Sequence, residues 1–160
     1  MGAVDTIIED ARWREAGLAP LAERAVQATL RHFGLDPSVF EVGLLACDDT
    51  RIAVLNGDFR DTPQATNVLS WPSVERGTDA PGAAPAAPAA GELGDIAIAF
   101  ETCTREAAAQ GKPFAAHVSH LLVHATLHLL GYDHMTAQDA ALMEGLEVEI
   151  LATLGLPDPY

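Results

Sequence analysis

Residues 124–134 of the chain read His124-Ala-Thr-Leu-His128-Leu-Leu-Gly131-Tyr-Asp-His134. The spacing of His124 and His128 places both imidazoles on one face of a helix, where both can reach one metal ion. Gly131 then ends the helix and lets the chain turn back, so that His134 can supply a third nitrogen. Three ligands leave a fourth position open, as in catalytic zinc sites. The stretch predicts a zincin-like three-histidine site for one Zn²⁺ per chain, and imidazole would also accept other divalent transition metals.

The same helix carries two further histidines, His117 and His120. Because successive helical residues turn by about 100°, all four histidines fall within an arc of roughly 80°. Each of the two could contact a substrate or support a metal ligand, or could simply hydrogen-bond backbone or solvent. Asp133 also has two interpretations, because it could orient a liganding histidine or be an ordinary turn residue.

A metzincin protease has the same histidine and glycine spacing, but it carries a glutamate directly after the first histidine as general base. This chain has Ala125 at that position. No residue there could take the proton from metal-bound water, so a zinc-dependent protease is the less favoured alternative.

The rest of the chain predicts a single α+β domain over residues 1–160, with one small mixed four-stranded sheet packed with about five helices. The segment 39–46 is mostly apolar and is expected to be a central strand. Ala, Pro and Gly dominate residues 73–91, which predicts a flexible loop and a passive insertion. Periodicity and stop signals place strands at 4–8, 39–46, 66–71 (closed by Pro72) and 94–99, and helices at 18–33, 48–56 (ended by Gly57), 102–110, 113–130 and 136–154.

Composition excludes several classes of protein. The 160 residues include 9 Lys and Arg against 23 Asp and Glu, for a net charge of −14. This balance argues against a broad basic surface for nucleic acid and against docking to an anionic membrane. Cys47 and Cys103 form no metal-binding or disulfide pattern, and we expect two buried free thiols in a cytoplasmic protein. No apolar run approaches the roughly 18 residues of a membrane span.

Two blocks of sequence together resemble the YbeY family of bacterial endoribonucleases and rRNA maturation factors. The first is the histidine stretch at 124–134, and the second runs from Leu55-Asn56 through Phe59-Arg60 to Thr66-Asn67-Val68-Leu69-Ser70-Trp71-Pro72. Gly94-Asp95-Ile96 and Gly111-Lys112-Pro113 also match, and the resemblance extends from about residue 4 to Tyr160. The chain departs from the family pattern at Ala125, Phe59, Pro63, Asn67 and Trp71.

The resemblance implies a metal-dependent endoribonuclease specific for single-stranded RNA, acting in 16S rRNA 3′-end maturation and ribosome quality control. His124, His128 and His134 would bind the zinc, and Arg60 and His124 would be the catalytic residues. The implied partners are rRNA and the small ribosomal subunit or its assembly factors, with no DNA and no membrane. From spacing alone, Arg60 could instead form a surface salt bridge with Asp58 or Asp61.

A second class of function stays open. The chain could be a non-catalytic ribosome-assembly or interaction protein whose metal only braces the helices around it. The acidic balance suits this alternative, although neutral histidine ligands would leave the positive charge of a metal free to attract phosphate. Four acidic residues of the last helix are expected to form a solvated face: Asp139, Glu144, Glu147 and Glu149.

Overall fold

One mixed sheet of four strands forms the centre of the molecule. A computed structural model describes residues 2–160. The strands lie in the order β1-β2-β4-β3, with β1 parallel to β2, β2 parallel to β4, and β3 antiparallel to β4. Their bounds are β1 Val4–Ile8, β2 Phe40–Cys47, β3 Val68–Pro72 and β4 Gly91–Ala99. The predicted central strand is therefore confirmed as β2.

Residues 2–160 contain six α-helices: α1 Arg12–Glu15, α2 Leu18–His32, α3 Asp49–Arg60, α4 Phe100–Gln110, α5 Phe114–Leu129 and α6 Ala137–Thr153. Helices α2, α3, α4 and α5 contact the sheet directly. The most buried of them is α5, which contacts α2, α4, α6, β3 and β4. Apolar side chains surround α5 on nearly every side, as expected for a helix in a core. The histidine face is therefore part of the most rigidly packed helix.

The side chains of β2 alternate between two apolar layers. Val42 and Leu44 face the larger core, which α2, α5 and α6 complete. On the other face, Cys47 joins a smaller cluster with Ile52 of α3. Both cysteines are free and buried, as expected. No helix within residues 2–160 has the length and apolar character needed to cross a membrane.

Trp13 lies in the four-residue α1, a helix that the sequence pattern missed, as it missed the 3-10 helix Pro37–Val39. The indole is fully buried, and its Nε1–H donates to the carbonyl of Cys47 at 2.9 Å. A helix of one turn gives too short a pattern for periodicity to detect, so it forms because burial of this side chain fixes the segment.

Gly57 does not end α3, contrary to expectation, because the helix continues to Arg60. A Cβ at Gly57 would lie 3.1 Å from the Cβ of Pro63. This glycine therefore permits close packing of the returning chain. The helix ends instead at Asp61, which adopts a left-handed conformation with φ 55°.

Two strand boundaries also differ from expectation. β3 begins at Val68 and includes Pro72. β4 begins at Gly91, and its residues 94–98 pair with the whole of β3. A proline is tolerated in β3 because this strand lies at the edge of the sheet, where one side of the backbone needs no partner. Residues 73–90 contain no helix or strand. Their flexibility stays a prediction.

Gly94 of β4 supports a first test of this packing. Its φ is 143°, and a Cβ there would overlap the carbonyl oxygen of Trp71 and lie 2.9 Å from Cδ2 of Leu129. We expect Gly94→Ala to lower the free energy of unfolding by about 2–4 kcal/mol, as strain and overpacking add. Gly145→Ala is the matched control, because a Cβ at this exposed position in α6 meets nothing within 4 Å.

Chemical denaturation of both variants measures the difference. Gly145→Ala is expected to keep or raise the stability of the protein, because alanine favours a helix by about 1 kcal/mol over glycine. Equal stabilities for the two variants would contradict the close approach of β3, β4 and α5 at Gly94.

Candidate metal centre

The three predicted ligands come together at the end of α5. His124 and His128 project from its last two turns, and His134 follows in the loop before α6. One candidate donor nitrogen from each ring lies within 4.8 Å of the other two. The ring centroids of His124 and His128 are 4.6 Å apart, and that of His134 lies 5.6 and 5.1 Å from them. One metal ion could therefore contact all three rings.

Gly131 makes the turn that brings His134 back. Its φ is 104°, and a Cβ there would lie 2.5 Å from the carbonyl oxygen of Arg76. Only glycine fits both the conformation and the space. The next residue, Tyr132, is buried and stacks on Phe33 at 5.5 Å, which fixes the turn to α2.

His128 is held in the form that binds metals. Burial, and to a smaller extent the nearby rings of His124 and His134, lower its pKa to about 4. The imidazole is therefore neutral at physiological pH and keeps a lone pair for coordination.

Glu147 of α6 is the residue that sequence reasoning misjudged. It does not belong to a solvated face, because its side chain is 0% exposed. It accepts hydrogen bonds from Nε2 of His120 at 2.5 Å, from Nδ1 of His124 at 2.8 Å and from the hydroxyl of Tyr160 at 2.5 Å. Burial raises the pKa of Glu147, but these three donors outweigh it and bring the pKa to about 2.

An ionised carboxylate only accepts hydrogen bonds, so His124 must carry its proton on Nδ1. In the neutral imidazole the lone pair of His124 is then on Nε2, the nitrogen left for a metal. Carboxylates that hold ligating histidines in this way fix both the tautomer and the ring orientation. The tautomer of His124 and the neutral state of His128 therefore both fit a bound transition metal.

The sequence did contain a signal for Glu147. Met143, Glu147 and Ile150 recur at helical spacing, and all three are buried in α6. From the sequence, the apolar stripe of this helix is expected on Leu142, Leu146, Ile150 and Leu154. Of these, Ile150 is fully buried, whereas the three leucines are only partly buried. A carboxylate in line with buried apolar positions indicates a buried acid that needs partners.

A cavity of about 720 Å³ lies in front of the triad. Its walls include Arg60 and Asn67 on one side, and His120, Asp133 and Tyr160 among the remaining lining residues. The exposed Arg60 donates from Nη2 to the carbonyl of Ser70 at 2.5 Å. Within residues 2–160 no carboxylate lies within 4 Å of its guanidinium, so the salt bridge with Asp58 or Asp61 does not form. Its remaining N–H groups are available to a ligand in the cavity.

The other three candidate residues occupy different positions. His120 borders the cavity and bonds Glu147. His117 is buried away from the cavity wall, with Nε2 2.9 Å from Oε1 of Glu106. Asp133 accepts from the backbone N–H of Met135 at 3.2 Å, as a turn residue does. The described part of the chain shows no hydrogen bond between Asp133 and a histidine.

Arg76 ties the start of the Ala- and Pro-rich segment to this centre. Its Nη1 donates to the carbonyls of Leu93 and Leu129, each at 2.9 Å, and burial lowers its pKa. Leu129 is the last residue of α5, where carbonyls lack partners within the helix. The start of the segment therefore contacts the end of α5 through Arg76, and the passive character of the segment stays a prediction.

Comparison with known proteins assigns the family. Residues 4–155 match the family model described as Endoribonuclease YbeY. The chain belongs to the YbeY family. A relative named Endoribonuclease YbeY from Ruegeria pomeroyi is 56% identical over 162 residues, covering 98% of this chain and 97% of its own. One of the same name from Dinoroseobacter shibae is 58% identical over 162 residues, covering 98% and 90%.

The fold has a counterpart among solved structures. A solution structure from Thermotoga maritima has a TM-score of 0.56 and 17% sequence identity, and the match covers 95% of this chain and 91% of that one. That likeness concerns the fold alone. The single-domain α+β architecture and the membership of the YbeY family predicted from the sequence are thus confirmed.

Exchanging Glu147 for glutamine tests its part in metal binding. We expect Glu147→Gln to weaken zinc affinity about 10- to 100-fold, because the neutral amide no longer fixes the tautomer of His124. Glu144→Gln, an exposed position one turn earlier on the same helix, is the control and should bind as the unaltered chain does. Competition with a coloured chelator measures the affinity, and circular dichroism checks the fold. Equal zinc affinities in the two variants would contradict the inference that Glu147 supports His124 as a metal ligand.

Proposed function

We propose that this chain is a metal-dependent endoribonuclease that cuts single-stranded RNA in 16S rRNA 3′-end maturation and ribosome quality control. The observation that carries the proposal is that the histidine triad and the guanidinium of Arg60, which has no acidic partner, line one cavity of a YbeY-family chain. We infer one Zn²⁺ per chain, with another divalent transition metal as the alternative. The expected setting is the cytoplasm, on the small ribosomal subunit or with its assembly factors, and without DNA or membranes.

His124, His128 and His134 would hold the metal, which supplies a Lewis acid or activates a bound water when present. The role of Arg60 is to bind the phosphodiester. A guanidinium binds phosphate oxygens through two parallel N–H groups. Because Nη2 of Arg60 is anchored on the carbonyl of Ser70, its orientation is set before the substrate arrives. The scissile phosphate would then lie between the guanidinium and the triad.

The acidic character of the chain limits its affinity for RNA. Between residues 113 and 160 there is no Lys or Arg, while six residues are acidic. Few phosphates can be neutralised by such a surface, so the affinity for free RNA is expected to be weak. Delivery by the small ribosomal subunit or an assembly factor would supply the missing affinity.

Charge reversal at Arg60 tests the proposal. We expect Arg60→Glu to lower kcat/KM on labelled single-stranded RNA at least about 100-fold, since it removes the donor for the phosphate and adds repulsion. Zinc content should stay at the level of the unaltered protein, because Arg60 bonds no histidine. Arg31→Glu makes the same change of charge on the exposed face of α2 and should cut normally.

Three results would count against this assignment. Loss of zinc from Arg60→Glu would mean that Arg60 supports the metal centre and not the substrate. An equal loss of activity in Arg31→Glu would mean that overall charge alone decides RNA cleavage. Equal cleavage of duplex and single-stranded RNA would remove the predicted strand specificity.

A further inference from the structure

Tyr160 directs its hydroxyl towards the protein interior, which is the opposite of the usual orientation of a surface tyrosine. A tyrosine at a surface commonly buries its ring and leaves its hydroxyl in water. Here the hydroxyl donates to the fully buried Glu147, while the residue as a whole is 64% exposed. Tyr160 is also one of the residues that line the cavity in front of the histidine triad. The hydrogen bond to Glu147 therefore explains the position of the hydroxyl, whereas burial in the core does not explain the presence of the aromatic ring.

Several contacts fix the ring in place. The ring stands edge-to-face with His120, with centroids 5.5 Å apart at 86°. The backbone N–H of Tyr160 donates to Asp158 at 2.8 Å, and Nζ of Lys112 donates to the carbonyl of Pro159 at 2.6 Å. A ring held in this way loses little conformational freedom when a ligand packs against it.

Within residues 2–160, one other tyrosine borders the cavity. This residue, Tyr132, is buried and already stacks on Phe33, so it offers no free face. Tyr160 is therefore the aromatic side chain, besides the histidines, that can accept a planar group in this cavity. Aromatic platforms beside a phosphate-binding group are how proteins hold single-stranded nucleic acid, because every unpaired base presents a flat face.

We propose that the exposed ring of Tyr160 stacks on an unpaired base of the RNA, in the same cavity where Arg60 binds the phosphate. This inference rests on the proposed function and adds a specificity-determining residue to it. A base within a duplex has both faces covered by its neighbours and cannot stack on Tyr160. The ring thus selects single strands, while the hydroxyl only adds to the contacts with His120, Asp158 and Lys112 that position the ring.

Two substitutions separate the ring from the hydroxyl. We expect Tyr160→Ala to raise KM, and the Kd measured by fluorescence anisotropy, about 5- to 100-fold for a labelled single-stranded RNA. Its kcat and zinc content should change less than about twofold, because no metal ligand is altered. Tyr160→Phe keeps the flat face and should restore KM and Kd to within about twofold of the unaltered protein.

A change in the RNA completes the test. The same oligonucleotide is prepared with one base removed at each position in turn, leaving the ribose and phosphate. At the position that stacks, removal of the base should weaken binding to the unaltered protein and leave Tyr160→Ala unaffected. A dependence of both proteins on the same bases would overturn the proposal.

The remaining outcomes are also decisive. If Tyr160→Phe fails as Tyr160→Ala does, the hydroxyl acts through Glu147 and stacking is wrong. If the unaltered protein cuts RNA and neither variant differs from it, stacking is wrong while the proposed function stands. If it binds RNA without cutting it, the Kd values still decide the role of Tyr160. If it neither binds nor cuts RNA, the proposed function fails and this inference fails with it.

Discussion

The hydrogen bonds of the buried Glu147 carboxylate are the interactions on which the geometry of the cavity depends. This carboxylate accepts hydrogen bonds from two histidines of α5 and from Tyr160, so it joins α6, α5 and the segment after α6 at one point. An ionised carboxylate without water is tolerated only when such donors replace its hydration. The bond from His124 sets the tautomer of that ring, and the bond from Tyr160 helps to position the tyrosine ring. The metal centre and the wall of the cavity therefore share one support.

The turn at Gly131 completes the centre from the other side. The conformation of this glycine returns the chain towards α5, and Arg76 closes the end of the helix by bonding the carbonyl of Leu129. Arg76 uses its guanidinium on backbone carbonyls, whereas Arg60 keeps most of its donors free. The two arginines at this cavity therefore differ in how many of their N–H groups are already bonded to backbone carbonyls. In an acidic chain, this leaves Arg60 as the cation best placed for a phosphate.

Local spacing explains what the sequence could predict. The triad depends on residues within eleven positions of one another, and the central strand on one apolar run, so both could be recognised without tertiary contacts. Glu147 and Arg76 were missed because their roles depend on groups far away in the chain. A glutamate on a helix is normally solvated, and only the position of Glu147 in line with Met143 and Ile150 indicated otherwise. The prediction that Gly57 ends a helix was wrong for a similar reason. A side chain at this position would contact Pro63, which lies beyond the end of the helix.

The most direct test of the account is the cleavage of a labelled single-stranded RNA by three samples prepared in parallel. These are the zinc-loaded protein, the same protein stripped by a chelator, and zinc-treated His128→Ala. The account predicts cutting by the first sample alone, with recovery in the second when zinc is restored, because the chemistry depends on the triad. Equal cutting by all three would indicate a contaminating nuclease. No cutting by the zinc-loaded protein, even with small ribosomal subunits added, would contradict the account and favour an assembly protein with a structural metal.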